Sequence, residues 1–343
     1  MRRKAKTKRN EQIMPINQRL DYIDMAKGFA IALMVFGHTF SINQNMSVMV
    51  WIYSFHMPLF FLTTGVLYGI KEEKGAKQRF KLKRKILTLL LPFFVWSTLY
   101  QLFISILAIL GGAPAKATLL SNMKVVIQLQ GNAMWFLPAM FLSTFFFFLT
   151  VRNRVLNIIT SCLLFIAGII VPEYNCYLSA ILRAFIGAVF IALGFYGYKF
   201  FTKEVKIWQL VCLFAISLVT IFMNGLVSIA SRDYNNPILY IFNGYIGTLI
   251  VYQMAMRMRQ IKIISDILKY WGENSIKVLC FHGFVIQIIR LLDYKLFGNL
   301  LPRLGIFEGI VFTTLIMAIL SILMPAFNKF FNWSFGIQNK NRE

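Results

Sequence analysis

Ten apolar runs recur from end to end of this chain, each about 17 to 25 residues long and so able to cross ~30 Å of hydrocarbon. They cover residues 22–40, 48–70, 86–110, 134–151, 155–171, 177–198, 207–230, 237–256, 275–292 and 308–331. Each has to be helical, because a bilayer core offers no water to an open backbone. Only 14% of the 343 residues are charged and 58% are hydrophobic. That is too little polar surface to coat a soluble globule, and too much apolar content for a disordered chain. The sequence therefore predicts an all-α polytopic integral membrane protein with about ten transmembrane helices. The fourth and fifth runs are parted by Arg152, Asn153 and Arg154 alone, so the count rests on that break.

The 36 Lys and Arg against 13 Asp and Glu give a formal charge of +23, which in a soluble chain would suggest nucleic acid. Their spacing gives it another meaning. Twenty-seven of the 36 fall before residue 20, within 71–85, 152–154, 199–206 and 257–269, or after residue 328. The alternate loops hold Lys116, Lys124, Arg232, Lys295 and Arg303. Positive residues stay cytoplasmic, so both termini are expected inside and no nucleic-acid partner is expected. A basic N-terminus ahead of an apolar run can be a cleaved signal. No small-residue cleavage site follows Phe40, however, and the run carries Asp24, Lys27 and His38, so it reads as a retained anchor. The expected organisation is a basic cytoplasmic N-terminus over 1–19, one membrane domain over 20–331 and a cytoplasmic tail over 332–343. Cys162, Cys176, Cys212 and Cys280 have no metal-ligand spacing, and neither a metal nor a bound cofactor is expected. The dense basic run 71–85 is explained most simply by topology and attraction to anionic membrane lipid, at roughly 1 kcal/mol per basic residue. A phosphate-rich cytoplasmic ligand is the alternative.

An ionisable group within a span costs at least a few kcal/mol and needs a reason. All three histidines, His38, His56 and His282, lie in spans. Lys27 and His38 are separated by eleven residues, close to three helical turns, which puts them on one face about 16 Å apart along the axis. Asp24 stands one turn before Lys27, within reach of a salt bridge. His56 is expected at a depth similar to His38, and Pro58 two residues later predicts a kink, because it cannot donate to the Ser54 carbonyl. The topology brings Arg183, Asn224, Asn243, Arg290 and Asp293 to the same outer half, with His282 nearer mid-membrane. A shared polar cavity opening outward is the expectation.

At these residues the chain resembles the acyltransferase-3 family of integral membrane proteins, most closely its fucose 4-O-acetylase-like branch. The likeness is carried by 19–38 (RLDYIDMAKGFAIALMVFGH), by Phe55-His56-Met57-Pro58-Leu59-Phe60-Phe61 with Gly65, by Trp135-Phe136-Leu137, and by Gly272-Glu273-Asn274-Ser275 followed by His282. The resemblance implies transfer of an acyl group, usually acetyl, from cytoplasmic acyl-CoA to a hydroxyl of an extracytoplasmic or lipid-linked carbohydrate. It also implies that the first-helix basic residue and histidine are essential, here Lys27 and His38. Lys27 replaces the arginine of other branches and meets a ligand as a point charge without a bidentate fork. The family's second basic residue before the third-span proline is missing, since Lys85 is followed by Ile86, Leu87 and Thr88; Arg84 is the available substitute.

Acyl transfer to an alcohol needs a base for the hydroxyl proton and a charge or donor for the developing oxyanion. His38 is expected as the base and His56 as a second acid/base or acceptor-orienting group. Lys27, supported by Asp24, is expected to guide the donor together with Arg84 and Lys85, while Arg183, Asn224, Asn243, His282 and Arg290 contact the acceptor. Acetyl-CoA is the expected donor, a cell-surface glycan or lipid-linked sugar the acceptor, and the plasma membrane the location. Homodimerisation is left open. The rival class is an exporter of a glycan or lipid-linked sugar, because intramembrane charges also mark transport routes.

Overall fold

The computed structural model describes residues 20–39, 46–76, 79–298 and 306–336. The basic segment 1–19 and the end of the tail, 337–343, lie outside the described residues. Helices follow one another as α1 (Asp21–Thr39), α2 (Met46–Glu73), α3 (Leu82–Lys85), α4 (Leu91–Leu110), α5 (Ala115–Ile127), α6 (Phe136–Thr150) and α7 (Arg154–Ile170). Then come α8 (Cys176–Gly197), α9 (Ile207–Asn224), α10 (Pro237–Met258), α11 (Lys262–Glu273), α12 (Ser275–Phe297) and α13 (Ile306–Phe330). The protein is an all-α multi-pass membrane protein. Among the described residues, eight helices are long and apolar enough to cross a membrane. The other two expected spans are α1, whose first turns carry Asp21, Asp24 and Lys27, and α7, an apolar helix of 17 residues.

The breaks between helices have local causes. Asn153, in the short gap between the fourth and fifth runs, accepts from Leu156 N at 3.1 Å and so caps α7. Asn175 caps α8 the same way, and Asn236 caps α10 with Pro237 in the first turn. Pro92 cannot donate to the Thr88 carbonyl, and the chain just before it, Ile86–Leu90, widens into a π-turn. Pro58 does not break α2, which runs as one helix from Met46 to Glu73. Its buried ring lies where Gly244 of α10 leaves room: a Cβ there would stand 2.9 Å from Pro58 Cβ.

Three segments depart from the apolar pattern. The stretch expected to lie outside the membrane after residue 110 forms α5. Residues 225–236, which the seventh run was expected to enter, form a loop with an antiparallel bridge between Ser228 and Asp233. Residues 332–336, expected as tail, pack against the membrane domain: Trp96 Nε1 donates to Ser334 Oγ at 3.0 Å and Phe335 stacks on Trp96. Lys277 of α12 donates to Asn328 and to Asn332 beside them.

Two backbone-to-backbone contacts set the frame. At Gly65 of α2 a Cβ would lie 2.0 Å from the Ile191 carbonyl oxygen, and at Gly194 of α8 one would lie 2.2 Å from that of Leu62. The amphipathic α11 meets α1 more closely still. A Cβ at Gly28 would be 1.8 Å from Leu268 O, and one at Gly272 would be 1.7 Å from Asp24 O. Small residues are what let membrane helices approach this far. Lys269 of α11 adds a hydrogen bond to Asp21 at 3.0 Å, which holds its pKa above the usual lysine range. α2, α8 and α10 are mostly buried, whereas α9 and α13 turn apolar side chains such as Phe214 and Ile322 outward.

Candidate active site

His38 ends α1, and its ring sits 5.2 Å from that of His282 on α12. His38 and His56 line one cavity together with Tyr53, Trp135 and Leu279, and Ser228–Ala230 of the 225–236 loop close part of its wall. About 470 Å³ of space is unfilled there, its mouth included. Tyr53 stands one turn before His56, with ring centroids 5.0 Å apart. It approaches α1 at Gly37, where a Cβ would lie 3.2 Å from the tyrosine ring. The glycine before His38 thus lets a second aromatic ring close on the histidines.

Backbone carbonyls decide which nitrogen of each buried histidine is open. His56 Nδ1 is 2.8 Å from Ile52 O. A carbonyl can only accept, so Nδ1 carries the hydrogen and neutral His56 keeps its lone pair on Nε2. His282 is held likewise, with Nδ1 at 2.8 Å from Leu279 O and 3.2 Å from Val278 O. Both rings are 6% exposed or less. In their neutral forms each leaves Nε2 as a proton acceptor.

The residues expected to guide a donor occupy two places. Lys27 Nζ pairs with Asp24 Oδ1 at 2.6 Å on the α1 face that α11 covers. Asp24 is buried and Lys27 about one-fifth exposed, so the ammonium keeps access to a ligand while its counter-charge is locked. Lys85 lies over the Tyr68 ring at 5.7 Å, and Arg84 is exposed, its carbonyl accepting from Thr88 Oγ1 at 2.9 Å. On the resemblance's implication that Lys27 meets an acyl-CoA donor, Lys27→Gln is expected to raise the KM for acyl-CoA about 10-fold or more, the loss of one charge-assisted hydrogen bond, while Lys27→Arg stays closer to the parent. Initial rates over a range of acyl-CoA concentration measure this, and an unchanged KM would remove Lys27 from the donor path.

The outer polar residues divide. Arg183 donates to Ser179 Oγ at 2.9 Å and lies over the Trp135 ring at 5.6 Å, next to the cavity. Arg290 reaches the His38 carbonyl with Nη2 at 3.5 Å. Asn243 accepts from Thr220 at 2.6 Å and is fully buried. Asn224 is spent on the 225–236 loop: it accepts from Asn236 N at 2.8 Å and donates to Tyr234 O at 3.3 Å. Buried Asp293 ends the same helix as Arg290. Sequence reasoning missed Tyr53 and residues 228–230. The i−3 position before His56 was a usable signal for Tyr53; nothing local signals a loop folding back over a cavity.

Over residues 20–322 the chain matches the family model described as an acyltransferase domain, Acyl_transf_3. That span takes in α1 with Lys27 and His38, α2 with His56, and α12 with His282. No curated protein and no solved structure matches the chain.

Proposed function

The chain belongs to the acyltransferase-3 family, and on that footing we propose that it moves an acetyl group from cytoplasmic acyl-CoA to a hydroxyl of an extracytoplasmic or lipid-linked carbohydrate. The carrying observation is the convergence of three histidines, His38 and His56 lining one cavity and His282 against His38. Acyl-CoA approaches from the cytoplasmic rim, its phosphates toward Arg84 and Lys85 and its pantetheine arm past Lys27. The acceptor enters from outside. His38 takes the hydroxyl proton as oxygen attacks the thioester carbonyl; the C–O bond forms, the C–S bond breaks and CoA leaves as its thiol after receiving that proton. His56, with Nε2 open, orients the acceptor hydroxyl or shares the proton, and its neighbour Tyr53 can donate to the oxyanion. Direct transfer is favoured over an acyl-enzyme, because among the described residues Ser228 of the loop is the one serine or cysteine lining the cavity beside His38.

Inverted membrane vesicles carrying the protein, supplied with radiolabelled acetyl-CoA, should accumulate label as an alkali-labile ester on carbohydrate. Export of unlabelled glycan without any ester ever forming would replace acyl transfer by transport.

The orientation follows from the charge asymmetry, with the 71–85 loop cytoplasmic and α5 outside in the plasma membrane. In a background lacking the four native cysteines, Lys116→Cys is expected to react with a membrane-impermeant maleimide in intact cells. Gly75→Cys should react only after permeabilisation. The reverse pattern would invert the topology.

A further inference from the structure

The side of the membrane that holds the histidine cavity also holds buried donors that none of the described residues satisfies. Among the described residues, Arg183 Nε, Arg232 Nε, Tyr234 Oη, Tyr240 Oη and Asn243 Nδ2 are buried and have no hydrogen-bond partner. All five can donate, and only the two tyrosine hydroxyls can also accept. Buried polar atoms are nearly always paired, so a group of unmatched donors points to a ligand that brings the acceptors.

These residues are linked in space. Arg183, 6% exposed, has one nitrogen fixed by Ser179 and its guanidinium over Trp135, a wall of the cavity. Arg232, from the loop that closes the cavity, is anchored by the carbonyls of Gly168 and Val171 at 3.0 and 2.8 Å, with Glu173 at 3.8 Å. Tyr234 lies 5.2 Å ring to ring from Tyr240, and Asn243 follows Tyr240 by one turn of α10. Burial pushes the Tyr234 pKa up against the opposing pull of Arg232 and Arg183, so its hydroxyl stays protonated. Arg290, at the His38 carbonyl, brings a third guanidinium to the same outer half. Arginines are disfavoured on this side of a membrane protein, and the exposed Glu173, 3.8 Å from Arg232, is the one carboxylate among the described residues acting on both Arg232 and Arg183.

We propose that Arg183, with Arg232 and the Tyr240 hydroxyl, forms an anion subsite beside the histidine cavity, and that the acceptor carries a phosphate or carboxylate close to the hydroxyl acylated. This rests on the acyl-transfer function given above and narrows its substrate class to acidic carbohydrate polymers or phosphate-linked sugars. A guanidinium with one nitrogen held by Ser179 and Nε open presents a fixed donor to such an oxyanion.

The test uses the full-length protein in phosphatidylcholine nanodiscs and three soluble probes: a glycerol-phosphate hexamer, hexagalacturonate and neutral maltohexaose. Titration calorimetry should show at least one acidic probe binding about 10-fold tighter than maltohexaose, with the advantage shrinking as salt rises. The phosphate and carboxylate arms identify which anion is taken. Arg183→Gln should erase the preference, and Tyr240→Phe, which removes one hydroxyl and little volume, should reduce it; the second variant serves if the first does not fold. Equal binding of all three probes, or a preference that survives both substitutions, overturns the subsite. Replacing phosphatidylcholine by phosphatidylglycerol should leave acidic-probe binding intact, whereas its abolition would mean that lipid headgroups fill the site and overturns the acceptor assignment. The same samples with labelled acetyl-CoA separate the two conclusions. Anion binding without ester on any hydroxyl counts against acyl transfer and leaves the subsite standing; ester formed equally fast on the neutral probe removes the subsite alone.

Discussion

His38→Ala is expected to lower acyl turnover by about 10² to 10⁴-fold, the usual contribution of a positioned general base. The KM for acyl-CoA should change little, because Lys27 lies about 16 Å away along the same helix by the rise per residue. Its place in the cavity wall supports a large effect. His38 faces the cavity from α1 and packs against His282, so an alanine leaves that space without a group able to take a proton at the same point. His56 cannot simply move over: Nδ1 is tied to Ile52 O and its ring to the α2 backbone four residues earlier. Single-turnover measurement with labelled acetyl-CoA on inserted protein gives the rate, and size-exclusion elution shows whether the fold persists. Turnover within a few-fold of the parent would exclude His38 as the base, and His56 Nε2 would become the next assignment.

Gly272→Ala is expected to have the second-largest effect, through the frame rather than the chemistry. The new Cβ would stand 1.7 Å from Asp24 O and 2.6 Å from its carbonyl carbon, with Gly28 N at 3.0 Å. These are backbone atoms, with no flexible side chain that could swing aside, so α11 and α1 must part. Overpacking of this kind costs about 1–3 kcal/mol, and a melting temperature lower by about 1–4 °C is expected. The displaced residue is Asp24, the partner of Lys27 at 2.6 Å, so the KM for acyl-CoA should rise as well. Gly65→Ala is the matched control. It clashes as severely, 2.0 Å from Ile191 O, but at the α2–α8 contact. It should lower the melting temperature similarly while changing the acyl-CoA KM less. Equal KM changes in both variants would show that α11 has no particular hold on the donor side, and an unchanged melting temperature for Gly272→Ala would remove the close contact itself.

Several features were legible because they depend on residues near one another in the chain. Eight of the ten apolar runs became helices long enough to span a membrane, and the other two, 22–40 and 155–171, became α1 and α7. The Asp24–Lys27 pair is a one-turn spacing on a single helix, and it formed. Family membership was carried by contiguous motifs. At Pro58 the helix continues, and Gly244 of another helix makes room for its ring. The polar loop 225–236 was hidden inside an apolar run, because Leu226, Val227 and Ile229 belong to the protein interior or its rim rather than to lipid.

The sequence by itself determined the all-helical membrane class and, through contiguous motifs, the family. Hydropathy and charge count are sums over neighbours, so they need no knowledge of the rest of the chain. Only the tertiary structure decided the rotation of each helix about its own axis. It turned His282 toward His38, 244 residues away, and set Arg183 over Trp135 while spending Asn224 on a loop. Those rotations are fixed by contacts between distant segments, such as Gly28 with Leu268 and Gly65 with Ile191. No periodicity within one apolar span could supply them, because a helix buried in protein on several sides is apolar nearly all round.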